Sequence, residues 1–109
     1  HKSEAQIEWT RPAKTIDCHI RALSPWPVAE TQCPKGTLRI HMSQTMPQNH
    51  QANPGTLIAV SKEGIDVATS DGVVRLLSLQ LPNQRVLDAQ AFINGQKDWL
   101  IPGKCVFGL

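Results

Sequence analysis

The residues best suited to hold a metal or to act as nucleophiles are four histidines and three cysteines. Their spacing decides against both. Cys18 and His19 are adjacent, so on a helix their side chains point about 100° apart. No other ligand stands three or four residues from either, and His41, His50, Cys33 and Cys105 are scattered singly, so a structural zinc site is not expected. The chain contains no GxSxG elbow, phosphate-binding loop, GxGxxG or HExxH. Its nine carboxylates are dispersed and read as caps, turns and solvated faces; Asp71, for example, precedes Gly72 in a turn, where Asp bonds its own backbone. No catalytic residue is expected in these 109 residues, which read as a binding or positioning module. The chemistry left is charge. Eleven Lys and Arg against nine Asp and Glu give +2, spread along the chain, which excludes a basic tail and permits a shallow basic face.

Length allows one domain with a single core. Hydrophobic residues make up 40%, and no apolar run approaches the roughly eighteen residues of a membrane span. An odd number of cysteines without CxxC spacing argues against a disulfide framework and for a reducing compartment. The chain opens on His1 rather than Met, as expected of a fragment or processed form.

The positioning elements follow from periodicity. Residues 2–9 read as a lead-in with Ile7 and Trp9 turned inward and Glu8 outward. Thr10 is a good N-cap and Pro12 fits a first helical turn. Ala13, Ile16, Ile20 and Leu23 then form one apolar stripe, predicting a helix from about Arg11 to Leu23. Pro25 and Pro27 push Ser24 and Trp26 out of helical geometry, so the helix must stop there. Trp26, held between two rings, is expected to staple the helix to the sheet that follows.

Beyond Pro27 the pattern changes to short strands. Val28–Cys33 and Thr37–Ser43 flank a Pro34-Lys35-Gly36 turn, with Leu38, Ile40 and Met42 inward and Arg39 and His41 outward. Gln44–Asn53 is polar and reads as an exposed loop. Asn53-Pro54-Gly55 turns the chain into Thr56–Val60, Lys62-Glu63-Gly64 turns it into Ile65–Thr69, and Ser70-Asp71-Gly72 turns it into Val73–Gln80. That last strand is apolar on both sides and is expected to be central. Leu81–Arg85 is a loop; Asp88 can cap a helix over Ala89–Asn94, which Gly95 would end, and the tail is a candidate edge strand. The pattern predicts a mainly β fold, a small OB-like Greek-key barrel with two short helices, with a β-sandwich or SH3-like barrel as alternatives.

Four motifs occur in order: Ile20-Arg21-Ala22-Leu23-Ser24-Pro25-Trp26-Pro27-Val28-Ala29, Pro54-Gly55-Thr56-Leu57, Gly64-Ile65-Asp66-Val67-Ala68-Thr69-Ser70-Asp71-Gly72 and Leu76-Leu77-Ser78-Leu79-Gln80. Together they resemble the C-terminal domain of methionyl-tRNA formyltransferases, from the Ile7-Glu8-Trp9 lead-in to Trp99 and Pro102-Gly103. The resemblance implies a single domain over residues 1–109, with 1–10 leading in from an N-terminal catalytic domain that carries the family's catalytic Asn, His and Asp. That domain would bind 10-formyltetrahydrofolate as formyl donor, so no cofactor is expected here. The implied partners are initiator methionyl-tRNA and that N-terminal domain, with no membrane and no metal; the implied compartment is a bacterial-type cytoplasm, organelles not excluded. Where the family has a Gly-Lys-Lys-like turn, this chain has Leu81-Pro82-Asn83-Gln84-Arg85 and keeps one basic residue.

On this resemblance the domain supplies a basic wall for the tRNA backbone. A-form duplex hides its major-groove edges, leaving phosphates and 2′-hydroxyls to grip. The candidates are Lys97 and Arg85 first, since the family tends to be basic there, then Arg21, Lys35, Arg39 and Arg75. Two other readings compete: the equivalent domain of a related formyltransferase or formyl-folate hydrolase acting on a sugar nucleotide or folate, and a free-standing OB-type binding module. With aromatics at 5% and no stacking pair evident, the last ranks lowest.

Overall fold

The computed structural model describes residues 4–108. Helix α1 (Ala13–Leu23) is followed by β1 (Ala29–Cys33), β2 (Gly36–Met46), β3 (Leu57–Ser61), β4 (Gly64–Ala68), β5 (Val73–Gln80), the short β6 (Leu87–Asp88) and α2 (Ala89–Gly95). Of the predicted lead-in, residues 1–3 lie outside the described residues.

Helix α1 forms where the apolar stripe required it, with Ala13, Ile16 and Ile20 buried. It begins later than the sequence suggested because Pro12, not Thr10, takes the cap position, in extended geometry. No side chain caps it. The Ala13 N–H instead donates to the Asp71 carbonyl at 2.9 Å, so the β4–β5 turn satisfies the helix end. The Thr69 hydroxyl organises that turn by donating to the Asp71 and Gly72 carbonyls. Buried Asp17 fixes the helix to the sheet, accepting from Ser43 Oγ at 2.5 Å and from Arg21 Nε at 2.9 Å.

All six strands share one antiparallel sheet in the order β1-β2-β5-β4-β3, with β6 pairing β5. Strands β3, β4 and β5 form a meander, and β2 lies beside β5 after a long connection, which is Greek-key connectivity. Central β5 is paired on both edges, as its apolar pattern predicted, with Val73, Val74, Leu76 and Leu79 buried. The tail closes the sheet into an OB-like barrel. On one side it bonds the free edge of β3, with Leu57 N–H to Cys105 O and Gly103 N–H to Leu57 O, both 2.8 Å; on the other, Gly108 N–H reaches Gln32 O of β1 at 2.9 Å. Gly55, at φ +93°, admits this strap: a Cβ there would lie 2.6 Å from the Phe107 carbonyl oxygen. With the strands in one sheet closed by the tail, the sandwich alternative falls away.

Three local expectations are corrected. Met42, expected inside, is 59% exposed, and Ser43 is buried in its stead. The register between β2 and β5 shifts on either side of Met42, and such a bulge reverses which residues face the core. Strand β2 also runs on to Met46, past the expected loop start at Gln44, because Met46 pairs with Val73 and a ready partner strand outweighs local polarity.

Trp26 is the third correction, at 83% exposed; it staples nothing within the described residues. The buried anchor is Trp9, whose indole N–H donates to Thr31 Oγ1 at 2.9 Å and whose ring lies 6.2 Å from Phe107. Phe107 stands 6.4 Å from Trp99, and Trp99 meets Phe92 edge-on at 6.2 Å. One chain of aromatic contacts thus joins lead-in, tail and α2.

Candidate nucleic-acid interface

The expected basic residues separate into three environments. Arg75 is committed inward: from β5 its Nε and Nη2 donate to both oxygens of Asp66 on β4, at 2.7 and 3.1 Å. Cross-strand register places the pair face to face, and Asp66 is buried. The hydrogen bonds to Asp66 hold the guanidinium pKa above its ordinary value. Arg21 lies on the exposed side of the last turn of α1, held by Asp17.

Lys35 is brought to the segment that carries Lys97. Lys35 occupies the β1–β2 turn, and its Nζ lies 3.9 Å from Asp98 Oδ2, which draws this turn to the segment after α2. That segment is rigidly placed, since Trp99 Nε1 donates to Gln96 Oε1 at 2.7 Å and Leu100 N–H reaches Gln96 O. Lys97 stands exposed between Gln96 and Asp98.

Arg85 rides on the loop between β5 and β6. β6 bends the chain back by pairing Leu87 with Leu79, and Gln80 Nε2 donates to Gln84 O at 2.9 Å. The loop leans on the β1–β2 turn: a Cβ at Gly36 would lie 3.6 Å from Pro82 Cγ. Arg39, exposed on β2, faces the cleft bounded by Gln80, Pro82 and Asn83, with Glu30 as its cross-strand partner.

Lys104 joins the same end unannounced by the sequence. The tail folds it beside Pro34, Cys33 and Trp99 around a cleft of about 400 Å³. Four exposed cations, Lys35, Arg85, Lys97 and Lys104, come from four separate segments; Asp98 ties Lys35 to the Lys97 segment, and Arg85 follows the loop residues that pack near the β1–β2 turn. Long flexible cations of this kind can grip a polyanion. Among the described residues no group of three or more His, Cys, Asp or Glu is placed to hold a metal ion. Burial pushes the Cys105 thiol up to about 11 and raises Cys33 as well, the direction opposite to an activated thiolate.

Residues 1–97 match the model of the formyl transferase C-terminal domain. The chain belongs to that family. Two formyl transferase relatives are methionyl-tRNA formyltransferases, from Nitrosococcus oceani (45% identical over 102 residues, 94% of this chain and 31% of that protein) and Xylella fastidiosa (41% over 97 residues, 89% and 32%). The chain spans about a third of the length of these curated relatives. Among solved structures, the same fold recurs in a variant of HypX from Aquifex aeolicus, with TM-score 0.70 and 15% identity over 87% of this chain and 18% of that one. The HypX complex with tetrahydrofolic acid gives 0.69, also at 15% identity. No helix of the described residues is long and apolar enough to cross a membrane.

Proposed function

We propose that this chain is the tRNA-holding domain of a methionyl-tRNA formyltransferase. In this reading a catalytic domain upstream of His1 binds 10-formyltetrahydrofolate and moves its formyl group to the amino group of initiator methionyl-tRNA, in the cytoplasm. The observation that carries the reading is the likeness of the chain, 45% and 41% identical, to two methionyl-tRNA formyltransferases, and the exposed Lys35, Arg85, Lys97 and Lys104 support it.

The work of such a domain is positioning. An exposed set of Lys and Arg reads phosphate and ribose without reading sequence, so base recognition falls to the catalytic domain. Holding the acceptor amino group beside the formyl donor removes part of the entropic barrier to transfer. With about three or four phosphate contacts, log affinity falls by roughly 0.9 per contact per log unit of salt, so the grip is shallow and readily released. Arg39 and Arg21 stand at the margins of this surface, and Arg75 supports it from within through the sheet.

The test is charge reversal at Arg85 and Lys97 in the full-length enzyme. KM for methionyl-tRNA rises while KM for the folate donor stays unchanged. Unaltered tRNA kinetics would overturn the reading and favour a domain serving a sugar nucleotide or folate acceptor.

A further inference from the structure

Trp26 takes no part in the basic end, yet it is the most exposed large apolar residue described. Its indole projects between Pro25 and Pro27, both also exposed, so the three form an apolar rib. The rib is fixed in place. Val28 N–H donates to Leu23 O at 2.9 Å, closing the loop, and buried Val28 holds φ at 77°. A β-branched residue in that region is disfavoured locally, and such conformations concentrate where a surface is put to use. An indole presented to water on a closed loop is a feature of contact surfaces.

Beside the rib runs a groove of about 790 Å³ bounded by Glu4, Ala5, Glu30, Arg39 and His41. Two observations identify what covers it. The first is where the chain enters. The Glu30 N–H donates to the Ala5 carbonyl at 2.8 Å, so the lead-in is tied to β1 within the groove wall, and the described chain begins here at Glu4. The matched family is a C-terminal domain, and the relatives are about three times as long as the stretch they share with this chain.

The second is charge. Glu4 and Glu30 against Arg39 leave the groove without the positive excess found at the Lys35–Lys97 end. A polyanion gains nothing from such a balance, whereas a folded protein surface of mixed polarity does.

We infer that the Trp26 rib and its groove are the seat of the enzyme's own catalytic domain, which packs an apolar patch on the indole. This rests on the reading that a formyl-transferring domain precedes His1. The barrel then presents two faces: the basic end takes the tRNA, and the Trp26 face fixes that grip relative to the reacting groups.

The experiment places a photo-crosslinker at this position, Trp26→p-benzoylphenylalanine, in the full-length enzyme, and maps products by mass spectrometry with and without methionyl-tRNA. The expected product is an intrachain cross-link to a peptide upstream of His1, formed equally without tRNA. A cross-link chiefly to RNA, one between two enzyme chains, or no cross-link would each overturn the inference. Trp26→Ala is expected to speed proteolysis of the junction near Glu4 at least about tenfold, with Trp26→Phe near wild type, as for an aromatic anchor at an interface. Equal cleavage of all three proteins would also overturn it. If the intrachain cross-link forms in an enzyme that formylates no tRNA, the docking face stands and the substrate reading falls; if tRNA is formylated and the link runs to RNA, the reverse holds.

Discussion

Arg75 lies within β5 and Arg85 just beyond its end, and the two show how one residue type divides between a cross-strand ion pair and an exposed loop. Arg75 spends its charge on Asp66 across the strand pair, with its side chain only 21% exposed. Arg85 stands exposed on a loop pinned by Gln80 and β6. The lesson is that a cation's role is set by what the sheet register places opposite it. Ladder pairing delivers a carboxylate to Arg75, whereas the loop holding Arg85 packs by its backbone and by Pro82.

The sharpest way to break this contrast is Asp66→Ala. It leaves a partly buried guanidinium without its carboxylate, and the expected loss is about 3 kcal/mol. Thermal unfolding should show a fall on the order of 10 °C or more. Replacing both partners by leucine should recover most of it, since the penalty belongs to the orphaned charge. A small effect of Asp66→Ala would show that the pair is worth no more than an exposed one.

Arg85→Glu with Lys97→Glu should do the opposite. Stability stays within about 0.5 kcal/mol of the parent, because both side chains are exposed. The salt dependence of tRNA binding by the full-length enzyme should lose a slope of about one per residue. Lys104→Glu, not anticipated from the sequence, should act in the same direction.

A smaller effect is expected where architecture supports recognition. Asp88 Oδ1 accepts from the Ala91 N–H at 2.9 Å and caps α2, the helix that delivers Lys97. Asp88→Ala should cost about 1 kcal/mol, read from the urea midpoint, with a mild loss of tRNA binding.

The mildest test is pH. Cys105 is buried, and desolvation holds its thiol pKa near 11 against an ordinary 9.0. The folded state keeps that proton longer than the unfolded one. Its contribution is therefore complete below about pH 9 and declines as pH rises toward 11. Denaturant midpoints at pH 8 and pH 10.5 should show the decline, and Cys105→Ala should flatten it. Alkylation at pH 8 should label exposed Cys18 well before Cys105.

Sequence alone determined whatever depends on neighbours along the chain. The stripe Ala13, Ile16, Ile20 and the Pro25 stop define α1, Asp88 caps α2 as expected, and the Gly-containing turns place the hairpins. Local conformation is governed by local sterics and hydrogen bonds, so these elements were legible. Tertiary structure decided the rest. The bulge at Met42 depends on a partner strand, the tail closes a barrel between β1 and β3, and Lys104 comes beside Cys33 and Pro34 through that closure. Trp9 and Trp26 are the same residue type with apolar neighbours near by in sequence, yet Thr31 and Phe107 stand over the first alone. Burial is a property of what the rest of the chain brings, and those partners are remote in sequence.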